Sequence, residues 1–301
     1  MGIEMVFLKD ADSEKRIRFL RQNLQPIRIR GWNWESPPVK PVLNLGLGVS
    51  ELVSRYCGTM RDIYIKRVLG RKPIMTPLIL RGLIYHEAIS NAITDVKRFL
   101  FSRGISTGYE VLRALLPTVE ESVTKLLNEV GVTDEDLKRD ASTLYRFIVI
   151  QLAAEVDRTL SRHPRIELDS LVFNSLPTIS ERVVDGSLIG LGRQVRIDLL
   201  LEGIIVDVKT GEMRDFHRLG PVGYALALEA DSGTPVDLGA VMYVRVSEWP
   251  LISYDIFELS DELRMEFLSL RDEASAILVN SEDPGRPLDC SELCPLWEAC
   301  P

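Results

Sequence analysis

Amides are scarce in this 301-residue chain: Asn and Gln together number 11. Because these side chains are heat-labile, the scarcity is the composition of a heat-adapted protein. Histidine is rarer still, with three residues, and cysteine has four. No apolar run approaches the roughly 20 residues that a bilayer-spanning helix needs. The N-terminus, MGIEMVFLKDADSEKRIRFL, lacks the basic-then-apolar layout of a signal peptide. These absences predict a protein of the cytoplasm with no membrane partner. Internal repeats and low-complexity tracts are also missing.

Positive charge is not in excess either. A net charge of −8 excludes a protein built mainly as a basic coat for nucleic acid. It leaves room for local basic stretches. Residues 14–30 carry six Lys/Arg (Lys15, Arg16, Arg18, Arg21, Arg28, Arg30) against one Glu, and residues 61–72 carry five against one Asp. Each stretch alone reads as a solvated face; the two together suit phosphate contacts beside a nuclease site.

What is present is 46% hydrophobic composition, enough for a substantial core in one large domain or two smaller ones. The first 40 residues read as irregular and end in the Pro-rich WNWESPPVKP, which cannot continue a helix. SELVSRYCGTMRDIYIKRVLG spaces apolar residues at three and four and predicts one helix from Ser50 to Gly70. A second helix starts at Thr76-Pro77, an N-cap and first-turn pair. Residues 109–160 predict further amphipathic helices, with a break near GVTDED where Thr133 can cap the next. After RHPRIELDS the period changes from 3.6 to 2, and LVFNSLPTISERVVDGSLIGLGRQVRIDLLLEGIIVDVKTG reads as strand and turn. GPVGYALALEAD returns to helix, VDLGAVMYVRV is a buried strand and SDELRMEFLSLRDEASAILVN a closing helix. The tail is a polar loop ending in three cysteines. The class is α+β: helices, a mostly antiparallel sheet, then more helix.

Within RQVRIDLLLEGIIVDVKTG, Glu202-Gly203 is the natural two-residue turn. That register sets Asp198 opposite Asp207 and Arg196 opposite Lys209. Alternation then places Val195, Ile197, Leu199 and Leu201 with Ile204, Val206 and Val208 on the core face, and the four charged residues on the other. Facing carboxylates about 5 Å apart at Cβ repel. One of them is protonated, or Arg196 and Lys209 pair with them on an exposed face, or a cation sits between them. Hard oxygen ligands suit Mg2+ or Mn2+ rather than zinc. Lys209 can then stabilise charge developing on a phosphate or position an attacking water. His86, in RGLIYHEAIS with Gly82 one turn earlier, is either a core histidine or a companion ligand.

Cys290, Cys294 and Cys300 crowd the C-terminus with C-x3-C-x5-C spacing, and Cys57 lies far upstream. In a cytosolic protein this reads as metal ligation: an iron–sulfur cluster, favoured by the 1+3 split, or structural zinc. Cys57 is the fourth ligand available.

One early Cys, a G-x-x-x-His helix, an Asp-bearing strand, DVKTG, a Tyr-bearing helix and three terminal Cys follow in that order. This set resembles the RecB-like, iron–sulfur branch of the PD-(D/E)XK nucleases, and more closely the CRISPR-associated RecB-type exonucleases of the adaptation module, in their larger archaeal subtype I-A form. The likeness spans residues 50–301. It implies a single RecB-like nuclease domain over 1–301, with an N-terminal segment 1–57, a helical insertion 100–165, a nuclease sheet core 166–250 and a Cys-rich segment 284–301. It implies that His86, Asp198, Asp207 and the Val208 carbonyl bind Mn2+ or Mg2+, and that Asp198, Asp207, Lys209 and Tyr224 are the catalytic residues. Cys57, Cys290, Cys294 and Cys300 would hold a 4Fe-4S cluster joining the N- and C-terminal parts. The implied substrates are single-stranded DNA or DNA ends, trimmed as spacer precursors, and the implied partners are the CRISPR integrase and other adaptation-complex proteins.

Two departures stand out. Gly220 occupies the place, four residues before Tyr224, where the family carries Gln, and His217 is the candidate substitute. The first terminal cysteine gap is three residues where the family has two. With the metal and lysine set intact, an active metal-dependent exonuclease is expected. The alternatives are a nonenzymatic DNA-end-binding subunit stabilised by the cluster, and a zinc-stapled nucleic-acid binder.

Overall fold

The computed structural model describes residues 7–54, 57–177, 179–288, 290 and 294–300. Among these the chain is a mixed α+β protein, with one five-stranded sheet covered by helices on both faces. The strands are β1 (Ile179–Val184), β2 (Val195–Leu201), β3 (Ile204–Lys209), β4 (Leu238–Val246) and β5 (Pro250–Glu258), in that spatial order. Only the β3–β4 pair is parallel; helix α9 (Leu219–Ser232) makes that crossover. The sheet is therefore mostly antiparallel, as the strand and turn pattern predicts.

One face is buried under α4 (Pro77–Arg103), α5 (Gly108–Leu115), α6 (Val119–Val130), α7 (Glu135–Arg162) and α8 (Leu168–Ser175). The other is buried under α2 (Val49–Val53), α3 (Arg61–Arg67), α9 and α10 (Asp261–Asn280). Among the described residues, no helix is long and apolar enough to cross a membrane.

Several helix boundaries follow local chemistry. Thr76 accepts a hydrogen bond from Ile79 N and Pro77 opens α4, as the sequence predicts. Before α7 the cap is Asp134, whose carboxylate accepts from Leu137 N, and not Thr133. The single helix expected over residues 50–70 is two, α2 and α3. Met60 adopts a left-handed conformation with φ 57° immediately before α3, so the helix is interrupted beside Cys57. The first 40 residues are not wholly irregular: α1 (Ala11–Asn23) is capped by Asp10 and packs against β5, where Arg16 Nε donates to the Ile256 carbonyl. LVFNS, expected as strand, is α8, and β5 has no counterpart in the sequence reading.

The basic stretches are largely committed internally. Arg21 donates to the Glu202 carbonyl and Arg30 pairs with Glu229 and Asp237. Arg61 forks onto Asp283, Lys66 pairs with Asp62, and Arg67 with Glu51. Lys15, Arg18, Arg28, Arg71 and Lys72 reach solvent or its edge.

Candidate active site

The β2–β3 hairpin turns at Glu202-Gly203, with φ values of 48° and 81°, the double left-handed pair of a type I′ turn. Its register joins Leu201 with Ile204, Leu200 with Ile205 and Leu199 with Val206, as the sequence predicts. The ladder then stops, one step short of the aspartates. Asp198 and Asp207 are thus not a cross-strand pair. Instead Asp198 turns its carboxylate into the gap, where Oδ2 accepts from the Val208 backbone N–H at 2.8 Å. A side chain replaces the main-chain partner of Val208, and the strands separate around the site.

The alternation of β2 changes phase at the same residue. Leu199 and Leu201 pack with Ile204, Val206 and Val208 under α4–α8, as expected. Val195 and Ile197 do not join them; they lie in the opposite core with Ile205 and Tyr224. Arg196 is exposed and pairs with Glu181 at 3.4 Å, so it does not sit opposite Lys209. β1 carries a matching defect. Ser180 pairs with Leu199 and Arg182 with Ile197, but Glu181 and Asp198 between them are unpaired.

Around this gap three elements converge. Helix α4 brings His86, whose Nδ1 is 3.5 Å from Asp198 Oδ2. A Cβ on Gly82, one turn earlier, would meet Thr210 Oγ1 at 3.3 Å, so the missing side chain lets α4 approach the end of β3. Glu181 of β1 joins His86 and Asp198: one ligand atom from each lies within 4.8 Å of the others.

Asp207 sits deeper, 1% exposed. Its Oδ2 is 2.7 Å from Lys209 Nζ, yet the approach lacks hydrogen-bond geometry and this fully buried oxygen has no hydrogen-bond partner. Burial pushes the Asp207 carboxyl above the usual range, and Asp198 adds to the rise while Lys209 and His86 oppose it. For Lys209, burial pulls toward the neutral amine, but the fields of Asp207 and Asp198 outweigh it and hold the pKa above the ordinary lysine value. The ammonium is charged and still partly exposed.

Helix α9 closes the other side. Tyr224 is buried, and burial and then the charges of Asp198, Asp207 and Glu181 raise its pKa, so the phenol is neutral. Val208 is buried in the core beneath, with its N–H toward Asp198. His217, on the turn before α9, has Nδ1 3.1 Å from Tyr243 Oη. Burial, then Lys209 and Arg214, lower its pKa to about 4, so it is a neutral neighbour of Lys209 at pH 7.

Gly220 explains its own departure from the resembling family. A Cβ there would stand 2.8 Å from Asp207 Oδ2 and 3.2 Å from Cγ. Any side chain at 220 must displace the carboxylate that Lys209 holds. Gly220→Gln is therefore expected to disrupt the site and to lower stability by about 1–3 kcal/mol through overpacking. Thermal denaturation checks the stability effect, and nuclease assays check the site.

The cysteines lie at a second location. The chain ends are tied together by Thr59 Oγ1 donating to the Gly285 carbonyl, Arg61 to Asp283, and Ile74 N to the Pro295 carbonyl at 2.8 Å. None of the four cysteines is in a disulfide, Cys57 being buried and the others half-buried. Burial pushes the Cys294 thiol up, with Cys290 and Cys57 contributing, and Arg61 Nη1 lies 3.0 Å from Cys300 Sγ.

Sequence reasoning missed Glu181. It lies in TISERVVDG with no motif around it, and the one available signal was an acid at the strand position that faces Asp198 when β1 pairs with β2.

Comparison with known proteins supplies the family. The model of the family described as CRISPR-associated exonuclease Csa1 matches residues 5–301. A protein of Saccharolobus solfataricus named CRISPR-associated exonuclease Csa1 is 36% identical over 289 residues, covering 95% of each chain. One of the same name from Thermoproteus tenax is 30% identical over 272 residues, covering 90% of each. No solved structure matches the chain significantly.

Proposed function

The chain belongs to the CRISPR-associated exonuclease Csa1 family, and from that premise we propose that it is a divalent-metal-dependent DNA exonuclease with a PD-(D/E)XK-type core. The observation that carries this reading is the Asp207 carboxylate: fully buried, lacking a hydrogen bond on Oδ2, and held against Lys209 beside Asp198 and His86. Lys209 offsets only one of the two neighbouring carboxylates, Asp207 and Asp198, and like charges this close are costly unless a cation sits between them. Two carboxylates and one imidazole are a donor set for Mn2+, with Mg2+ second because it prefers oxygen. His86, Asp198 and Asp207 would hold the ion, with the Val208 carbonyl as a further ligand. When bound there, the cation supplies Lewis-acid stabilisation of a phosphodiester undergoing hydrolysis.

The remaining work falls to the chain's own groups. Lys209 is held protonated by the aspartates, so it acts as a fixed positive charge for the phosphate oxygens in the transition state. His217 stays neutral beside it and adds no competing charge. Tyr224 stays a neutral phenol that packs the α9 wall of the site.

Cys57, Cys290, Cys294 and Cys300 would be the donor set of a 4Fe-4S cluster, a reading supported by the influence of Cys57 and Cys290 on Cys294 and by the Arg61 hydrogen bond to Cys300. Its role is structural: it staples residues around Cys57 to the C-terminal segment. The substrate we propose is single-stranded DNA or DNA ends, processed as spacer precursors alongside the CRISPR integrase and other adaptation proteins.

Purified protein is expected to be brown and to degrade linear single-stranded DNA with Mn2+, to leave circular single strands intact, and to stop with EDTA. Binding of DNA ends without cleavage, by protein carrying its full cluster, would instead favour the nonenzymatic subunit. A colourless, zinc-loaded protein would exclude the cluster.

A further inference from the structure

Glu181 occupies a place in this site that no motif assigns to it. It lies in the middle of β1, yet its φ is 57°, the left-handed region that a non-glycine residue avoids within a strand. The β1–β2 ladder runs on both sides of it and skips it, together with Asp198 opposite. Left-handed residues inside otherwise regular strands concentrate where function over-determines the backbone. Here the interruption coincides with a carboxylate set within 4.8 Å of His86 and Asp198. Asp207 stands outside that group.

The cluster and its edge gather three carboxylates, Glu181, Asp198 and Asp207, against two cations, Arg196 and Lys209. Arg196, 3.4 Å from Glu181, is itself largely exposed. At the edge of the same cluster, Asp207 is fully buried, with Lys209 Nζ 2.7 Å from its Oδ2. On the α9 side, Gly220 supplies no side chain, and its backbone packs against Asp207. The additional oxygen donor available to an ion between α4 and β2 comes from β1.

We propose that Glu181 is a protein ligand of the divalent cation, so that His86, Glu181 and Asp198 form the primary triad and Asp207, held by Lys209, completes the site from β3. This rests on the reading of the site as a divalent-cation centre. One nitrogen and two oxygen donors in that triad give Mn2+ precedence over Mg2+, which prefers all-oxygen octahedral surroundings.

The test is Mn2+ binding by the cluster-loaded protein, followed by calorimetry and by the loss of the free-ion EPR signal. Glu181→Gln is expected to weaken Mn2+ binding at least about 10-fold, the scale of losing a supporting ligand contact. Glu181→Gly is the control for folding, because glycine accepts the left-handed backbone without strain. It should melt at or above the wild-type temperature while losing Mn2+ affinity to the same degree. If both variants bind Mn2+ like wild type while Asp198→Asn does not, Glu181 is no ligand and the cation site of the proposed function still stands. If the wild-type protein itself binds no Mn2+, this proposal and the cation reading fail together.

Discussion

Lys209→Ala is expected to lower the rate of DNA hydrolysis by about 10²–10³-fold, the usual effect of removing one preorganised group that stabilises transition-state charge. The geometry makes the effect specific to chemistry. Lys209 Nζ lies 2.7 Å from Asp207 Oδ2, but it is not a metal-ligand type, and its removal takes a positive charge away from the candidate cation site. Mn2+ affinity should therefore be kept or increased in the variant while the rate collapses. The pH dependence has a matching sign. Because the folded pKa of Lys209 is raised, its charge persists beyond the ordinary lysine value of about 10.4. No descending limb from Lys209 is expected in the rate profile below that pH. Gel-based digestion of end-labelled single-stranded DNA with Mn2+ reads both effects. A Lys209→Ala protein that digests at the wild-type rate would remove Lys209 from the mechanism.

Arg264→Ala is expected to have the largest effect on stability, about 3–5 kcal/mol. Arg264 is 0% exposed and pairs with Glu229, also 0% exposed, at 2.7 Å. Its guanidinium also donates to the carbonyls of Leu259, Ile29 and Val236. Glu229 in turn accepts from Arg30 and from the Gly31 backbone N–H. The pair locks α10, α9 and the segment before α2 into one unit, and α9 carries the Gly220 and Tyr224 wall of the site. Removing the arginine leaves a buried carboxylate with only part of its compensation and three carbonyls short of a donor. The melting temperature should fall by roughly 5–15 °C. Lysine should not rescue it, since one ammonium cannot reproduce the guanidinium fork. A fall of under about 2 °C would show that the network is dispensable.

Some of this molecule was legible locally. The Glu202-Gly203 turn set the hairpin register because two-residue turns and strand alternation are determined by neighbouring residues. Thr76-Pro77 marked the start of α4, and with it the position of His86, for the same reason. The Asp-bearing strand and DVKTG identified the residues from which a charged site could be built. Helix α1 and helix α8 were not legible, since neither has a wide apolar stripe of its own and each is stabilised by what it packs against.

What the chain order of residues determined by itself was the α+β class, the hairpin and the kinds of donor available to a metal and to a cluster. Tertiary structure decided where those donors meet. The gap between β2 and β3 opens because the Asp198 carboxylate replaces a main-chain partner, and this turned Val195 and Ile197 to the opposite core against simple alternation. Glu181 enters the site only through β1 pairing with β2, and Gly220 becomes necessary only where α9 meets Asp207. These are contacts between elements distant in sequence, and local periodicity carries no record of the space between them.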